Sequence, residues 1–236
     1  MAKGEIKLMV NGKRLDGRLP EQLRDIEMKL GVVSRADGSA MVRFGNTIAV
    51  AAVYGPRELY PRYLQESRGG ILRVRYNMAP FSVTDRKSPG PDRRSVEISK
   101  VIRLALEPVI FLGEFPKATI DVFVEILQAD GSTRVTGINA ASLALASAGI
   151  PMKDMVTACS VGKIGDTLIL DLNGIEDNNS EADISFAFMP SKEKVTLFQM
   201  DGNLITEEIK RLLEVAKDAC KKIYEMQKGV IREKYR

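Results

Sequence analysis

A short pattern occurs twice in this chain. A Gly-polar-Thr turn runs into a buried type of strand at Gly45-Asn46-Thr47-Ile48-Ala49-Val50 and again at Gly165-Asp166-Thr167-Leu168-Ile169-Leu170. Each copy is followed, after further strand, by a long helical pattern, which predicts two related sheet-plus-helix modules. At 236 residues the chain lies near the upper limit for one hydrophobic core, so the modules are expected to fuse into one compact α+β domain. The first module covers about 1–150 and the second about 151–236.

Period-two alternation predicts strands over 25–33, 40–44, 47–54 and 71–76, and the middle two read as a hairpin about Gly45-Asn46. A loop marked by Pro80, Pro89, Gly90 and Pro91 follows. Asp92 is the expected N-cap of a helix reaching about residue 111, with an apolar stripe from Val96 to Val109. A buried strand over 118–127 leads to a segment dense in small residues, Ile138-Asn139-Ala140-Ala141-Ser142-Leu143-Ala144-Leu145-Ala146. Small side chains on every face let a helix approach several neighbours, so this one is placed centrally. Strands are then expected over 155–161, 167–172, 183–189 and 195–200, an amphipathic helix over 206–226, and a charged tail.

The chain has no histidine. Imidazole is the usual general base near neutral pH and the commonest nitrogen ligand of zinc. Its absence excludes Ser-His-Asp hydrolases, Cys-His proteases and His-dependent ribonucleases, leaving carboxylates, Lys, Arg, hydroxyls, backbone amides or a bound ion to do chemistry. Cys159 and Cys220 have neither disulfide-scaffold nor metal spacing, and they read as small buried residues of a reducing, intracellular protein. The start Met1-Ala2-Lys3-Gly4-Glu5-Ile6-Lys7 has no apolar leader, and no run is long enough to span a membrane. The expectation is a soluble, cytoplasmic chain without membrane contact.

Net charge is only +4, but its distribution is uneven. Residues 57–103 hold eleven Lys/Arg, nine of them Arg, against five acids. Arginine's fork matches phosphate oxygens, so a nucleic-acid backbone is the natural partner; a solvated basic face is the alternative.

The turn Asp130-Gly131-Ser132-Thr133-Arg134 joins a strand to a helix, pointing unpaired N–H groups, two hydroxyls and a cation at one small volume. It reads as a site for an oxyanion such as phosphate, or as a simple capping turn; the P-loop pattern is absent. Five carboxylates follow in 171–183: Asp171, Glu176, Asp177, Glu181 and Asp183. Asp177 and Asp183 flank the loop before a strand, where such a pair holds magnesium or moves a proton; a solvated acidic loop is the alternative. An EF-hand is excluded, since Glu176 stands where glycine is required and Ala182 where the bidentate Glu is required. Arg93 and Arg94 occupy the first turn of a helix, where cations oppose the dipole and call for an anionic partner or exposure to solvent.

Taken in order, Arg14-Leu15-Asp16-Gly17-Arg18, Phe44-Gly45-Asn46-Thr47, Leu72-Arg73-Val74-Arg75-Tyr76, Arg93-Arg94-Ser95-Val96-Glu97-Ile98-Ser99, Leu127-Gln128-Ala129-Asp130-Gly131, Ala140-Ala141-Ser142-Leu143-Ala144-Leu145-Ala146 and Glu176-Asp177 with Glu181-Ala182-Asp183 resemble the RNase PH family of phosphorolytic exoribonucleases. Within it they are most like the catalytic RNase PH-like subunits of archaeal exosomes. The chain departs from the family where Ser132 and Ser180 stand at positions often occupied by glycine.

The resemblance implies an RNase PH-like fold, and phosphate-dependent 3′-to-5′ RNA degradation that releases nucleoside diphosphates and runs in reverse to add 3′ tails. It implies that Gly131, Ser132, Thr133 and Arg134 bind inorganic phosphate as co-substrate, and that Arg93 and Arg94 hold phosphates near the RNA 3′ end. Arg62 and Arg68 are placed along the RNA path. Asp177 and Asp183 are the implied catalytic carboxylates, holding magnesium or another divalent cation, or protonating the leaving 3′ oxygen. The implied partners are single-stranded RNA 3′ ends, an inactive RNase PH-like paralogue alternating in a six-membered ring, and RNA-binding cap subunits. Three alternatives stand beside this: a homohexameric tRNA-trimming RNase PH, a metal-dependent hydrolytic ribonuclease, and a non-catalytic RNA-binding ring subunit.

Overall fold

In the computed structural model residues 8–10, 12–85 and 87–235 are described. The start over 1–7 and Arg86 of the basic window lie outside the described residues. Strands β1 (Met9–Val10) and β2 (Lys13–Arg14) form a small antiparallel pair. A larger sheet contains β3 (Ile26–Leu30), β4 (Gly38–Phe44), β5 (Thr47–Glu58), β6 (Ile71–Met78) and β7 (Ala118–Gln128), in the order β3-β4-β5-β7-β6. Period-two burial sets it up: Ala40, Val42 and Phe44 on β4, and Ala49, Ala51 and Val53 on β5, turn to one face and are fully buried. Among the described residues only the β6–β7 pair is parallel, and α1 (Arg93–Leu106) lies in the crossover between these two strands.

The helix expected from Asp92 begins there. Asp92 accepts from Ser95 N at 2.6 Å, and Asp92 N donates to Ser95 Oγ at 2.9 Å, closing a capping box. It ends at Leu106 rather than near 111, because Pro108 cannot donate to a continuing helix and the chain tightens into a 3₁₀ turn over Glu107–Val109.

The second sheet holds β8 (Thr157–Ile164), β9 (Thr167–Leu170), β10 (Ala182–Met189) and β11 (Lys194–Gly202), in the order β11-β10-β8-β9 and all antiparallel. Both modules use a hairpin, but they extend it differently. In the first, β5 lies beside the next strand of the sheet; in the second, β9 has only 4 residues and β8 takes the inner place.

Helix α2 (Thr133–Ser147) packs against β4, β5 and β7 of one sheet and β8 and β10 of the other. It is buried on all sides, as its small residues predicted. Gly38 permits the approach: a Cβ there would lie 2.4 Å from Ala144 O and from Ala148 N on the helix. Asn139, inside α2, donates to Ala158 O at 2.7 Å and accepts from Ala158 N at 3.1 Å, tying the helix to β8.

The acidic stretch read as a loop contains a short helix, α3 (Gly174–Asn179), capped by Asn173, whose side chain accepts from Ile175 N and Glu176 N. Helix α4 (Thr206–Lys234) runs past the expected end near 226 into the supposed tail. Buried Gln227 donates to Asn139 Oδ1 at 3.2 Å, Ile231 packs on the core, and Tyr235 OH donates to Ser147 O at 3.0 Å. Cys159 and Cys220 are free and buried, with their sulfurs 3.7 Å apart between β8 and α4. Their mutual contact and burial push the Cys159 thiol up. Among the described residues no helix is long and apolar enough to cross a membrane.

Candidate active site

The turn between β7 and α2 is fastened before it reaches any ligand. Thr47, the threonine of the first repeated motif, donates to Gly131 O at 2.8 Å and accepts from Asp130 N at 3.0 Å. Gly131 sits at φ +68° against Asn173, and a Cβ there would come within 2.6 Å of the Asn173 carbonyl carbon. Its place is therefore structural, in the seam between the modules, and it does not line the cavity described below. Ser132 Oγ donates to Leu172 O at 2.7 Å and lies 2.6 Å from Ser160 Oγ. Thr133 Oγ1 accepts from Tyr76 OH at 3.0 Å. Burial pushes that phenol up to about 12, keeping it a donor across the neutral range. The Ser132 hydroxyl is thus engaged by the protein, whereas Thr133, which only accepts here, keeps its own O–H to donate, and the turn adds the unpaired backbone N–H groups of the first turn of α2.

Arg134 supplies the cation. Its Nη1 lies 3.4 Å from Ser185 Oγ and its Nη2 3.5 Å from Glu97 Oε1. Its Nε is enclosed and has no hydrogen-bond acceptor. An orphaned guanidinium donor beside an open helix start calls for an oxyanion.

The five carboxylates divide cleanly. Glu176 is buried and bonded to Arg14, whose Nε lies 2.7 Å from Glu176 Oε1. Asp171 is buried and receives Arg24 through Nε at 2.9 Å and Nη2 at 2.7 Å. Arg18 also approaches Asp171 Oδ2, at 3.5 Å. The segment from Arg14 to Arg24 is therefore an internal brace: Arg14, Arg18 and Arg24 are buried among backbone carbonyls and carboxylates. Arg24 Nη1 further donates to Asp130 O at 2.6 Å, and Gly174 N to Asp130 Oδ1 at 2.9 Å. One cluster thus locks the phosphate-type turn to the acidic helix. Glu181 is exposed and lies 4.0 Å from Lys163.

Asp177 on α3 and Asp183 on β10 remain, and both face one cavity of about 410 Å³ that they share with Arg94, Ser132, Thr133 and Arg134. Burial pushes the Asp177 carboxyl up, against the pull of Arg94, Arg134 and Arg24. Burial also pushes Asp183 up, joined by the charges of Asp177 and Asp201 and opposed by Arg134 and Arg94. Cations and carboxylates in one enclosed volume suit anionic substrates that exchange charge during reaction.

Arg93, Arg62 and Arg68 are exposed and do not line this cavity. Arg62 lies 3.7 Å from Glu58, and Arg57, Arg73, Lys87 and Arg103 also meet neighbouring carboxylates, so part of the basic window is neutralised locally. The residue-by-residue reading missed Glu97, Ser160, Ser185, Gln199 and Asp201, all of which line the cavity. The signal for three of them lay in strand pairing: Asp183 stands opposite Asp201, and Ser185 opposite Gln199, on the β10–β11 ladder.

Among the described residues no cluster of three His, Cys, Asp or Glu side chains is arranged to hold a metal ion. The Asp177 and Asp183 pair still fits a magnesium-type ion, which takes one or two carboxylates and completes its shell with water and substrate phosphate.

Sequence profiles of the 3′ exoribonuclease family (RNase PH) match residues 22–151 as domain 1 and residues 154–219 as domain 2. The chain belongs to the RNase PH family. The RNase PH profiles place the turn at 130–134 in domain 1 and Asp177 and Asp183 in domain 2, so the cavity is built across both. Over 225 residues, 95% of this chain and 90% of the relative, the sequence is 59% identical to the exosome complex component Rrp41 of Thermococcus kodakarensis. The component of the same name from Pyrobaculum calidifontis is 51% identical, covering 100% of this chain and 96% of its own. Among solved structures, that of rice (Oryza sativa) Rrp46 superposes with a TM-score of 0.81 at 26% identity, covering 91% of this chain and 98% of that one.

Proposed function

We propose that this RNase PH family member is the catalytic, phosphate-dependent 3′-to-5′ exoribonuclease of an archaeal-type exosome ring, releasing nucleoside diphosphates. The observation that carries this is the enclosed Arg134 Nε, without an acceptor, beside an open helix start and across one cavity from Asp177 and Asp183. Phosphate is the chemically matched occupant, and in that seat it is a nucleophile rather than a spectator.

One oxygen of the bound phosphate attacks the terminal phosphodiester in line. A P–O bond forms to the nucleophile, and the bond to the 3′ oxygen of the preceding nucleotide breaks. Arg134 and the α2 N–H groups hold the incoming phosphate, while Arg94 stabilises charge on the oxygens of the phosphorus under attack. The leaving 3′ oxygen takes a proton from the Asp177–Asp183 pair, whose raised proton affinity suits that task. Alternatively, with both carboxylates ionised, Asp177 and Asp183 would hold a divalent cation that neutralises phosphate charge there. One phosphoester replaces another, so the reverse reaction adds nucleotides from diphosphates. Arg62, Arg68 and Arg93, outside the cavity, are assigned to the approach of the RNA.

The relatives named as exosome complex components support membership of a multi-subunit complex, and the partners proposed for it are an inactive RNase PH-like paralogue in a six-membered ring and RNA-binding caps. The test is product analysis on single-stranded RNA, with and without phosphate, using the chain alone and with that paralogue. Diphosphates that appear only with phosphate are expected; monophosphates formed without it would establish the hydrolytic alternative. Arg134→Ala is expected to raise the KM for phosphate more than that for RNA, and equal phosphate dependence in mutant and wild type would remove Arg134 from this role.

A further inference from the structure

One wall of the cavity is poorly made for phosphate. Glu97 on α1 and Gln199 on β11 stand there, an anion and an amide. Arg134 Nη2 and Gln199 Nε2 donate to the same Glu97 oxygen, Oε1, at 3.5 and 3.2 Å. A carboxylate only accepts, so this contact fixes the amide: its NH₂ faces Glu97 and its carbonyl oxygen is turned elsewhere. That Gln199 Oε1 is enclosed and has no donor. An enclosed acceptor left unpaired is costly, and a ligand that brings an O–H or N–H removes the cost. An ionised phosphodiester brings neither. The terminal ribose of an RNA brings two adjacent hydroxyls.

Resting on the phosphorolytic reading above, we propose that Gln199 and Glu97 seat the 2′,3′-diol of the terminal ribose. Gln199 Oε1 accepts from one hydroxyl, and Glu97, through the Oε2 that neither Arg134 nor Gln199 engages, accepts from the other. Glu97 thereby links the two recognitions, because the Arg134 that meets phosphate also leans on it. An internal nucleotide has its 3′ oxygen esterified and cannot fill the seat, so the pair selects chain ends. It also selects ribose over deoxyribose.

The experiment compares binding of adenosine diphosphate, its 2′,3′-dideoxy analogue and inorganic phosphate by calorimetry, on the full chain and on its ring complex. The analogue lacks both hydroxyls, so the two hydrogen bonds together set a preference for the ribose form of about a hundredfold in wild type. Gln199→Met, similar in length at a partly exposed position, is expected to cut that preference about tenfold by weakening adenosine diphosphate alone, with phosphate unchanged and the share held by Glu97 remaining. Glu97→Gln is expected to act in the same direction. Equal wild-type affinity for both nucleotides overturns the seat while leaving the phosphate site standing. Equal weakening of both nucleotides in Gln199→Met also overturns it, as the mark of a merely structural residue. Failure of phosphate and both nucleotides to bind overturns the phosphorolytic reading itself.

Discussion

At Ser132 the backbone lies at φ +55°, a left-handed conformation that costs a residue with a Cβ about 1–2 kcal/mol. The serine is kept in position by its contacts to Leu172 O and Ser160 Oγ. Ser180, the other departure, sits at φ −72° and needs no glycine. Asp183 shows the opposite economy, since its carboxylate is held where burial and two neighbouring acids disfavour charge. A carboxyl with a raised folded-state pKa lowers stability above that pKa, and the penalty fades as pH falls toward its ordinary value of 3.8. Asp183→Asn is therefore expected to melt at a higher temperature than wild type at pH 7 in metal-free, phosphate-free buffer, with the gap closing toward pH 4. The same variant should lose about 10²–10⁴-fold in phosphorolysis; a lower melting temperature at pH 7 would contradict the burial argument. The turn at 130–134 and the Asp177–Asp183 pair were legible because each is local in sequence. Glu97, Gln199 and Asp201 were not, because they reach the cavity only through packing of α1 and pairing of β11 with β10.

Among the elements, strands declared themselves through alternation, while helix ends followed contacts that no single window contains. Pro108 ended α1 early, and Gln227 and Tyr235 carried α4 beyond its amphipathic stretch by bonding to Asn139 and Ser147. The short helix α3 escaped notice because its cap, Asn173, works together with Glu176, a residue that reads as surface charge until Arg14 is seen against it. Helix α2 gives the sharpest element-level prediction. A methyl group at position 38 would fall 2.4 Å from two backbone atoms of the helix terminus. Gly38→Ala is expected to cost about 1–3 kcal/mol in denaturant unfolding by forcing β4 and α2 apart, and a neutral result would show that the interface yields.

Across the whole molecule, the segment from Arg14 to Arg24 is the brace that holds the two halves of the cavity together. Arg24 grips Asp171 and Asp130 at once, and Asp130 grips Gly174. Asp171→Asn tolerates the left-handed backbone at φ +57° but leaves Arg24 enclosed without its counter-charge. A loss of about 3–5 kcal/mol is expected by chemical denaturation, and stability within error of wild type would show that the brace carries no weight. Because α2 is enclosed by both sheets and its first turn is the proposed anion seat, that turn cannot shift without disturbing the deepest layer of the protein. If the proposed phosphorolysis holds, this turn is an immobile anvil, and the expected advance from one cycle to the next is the polymer sliding forward by one nucleotide over it.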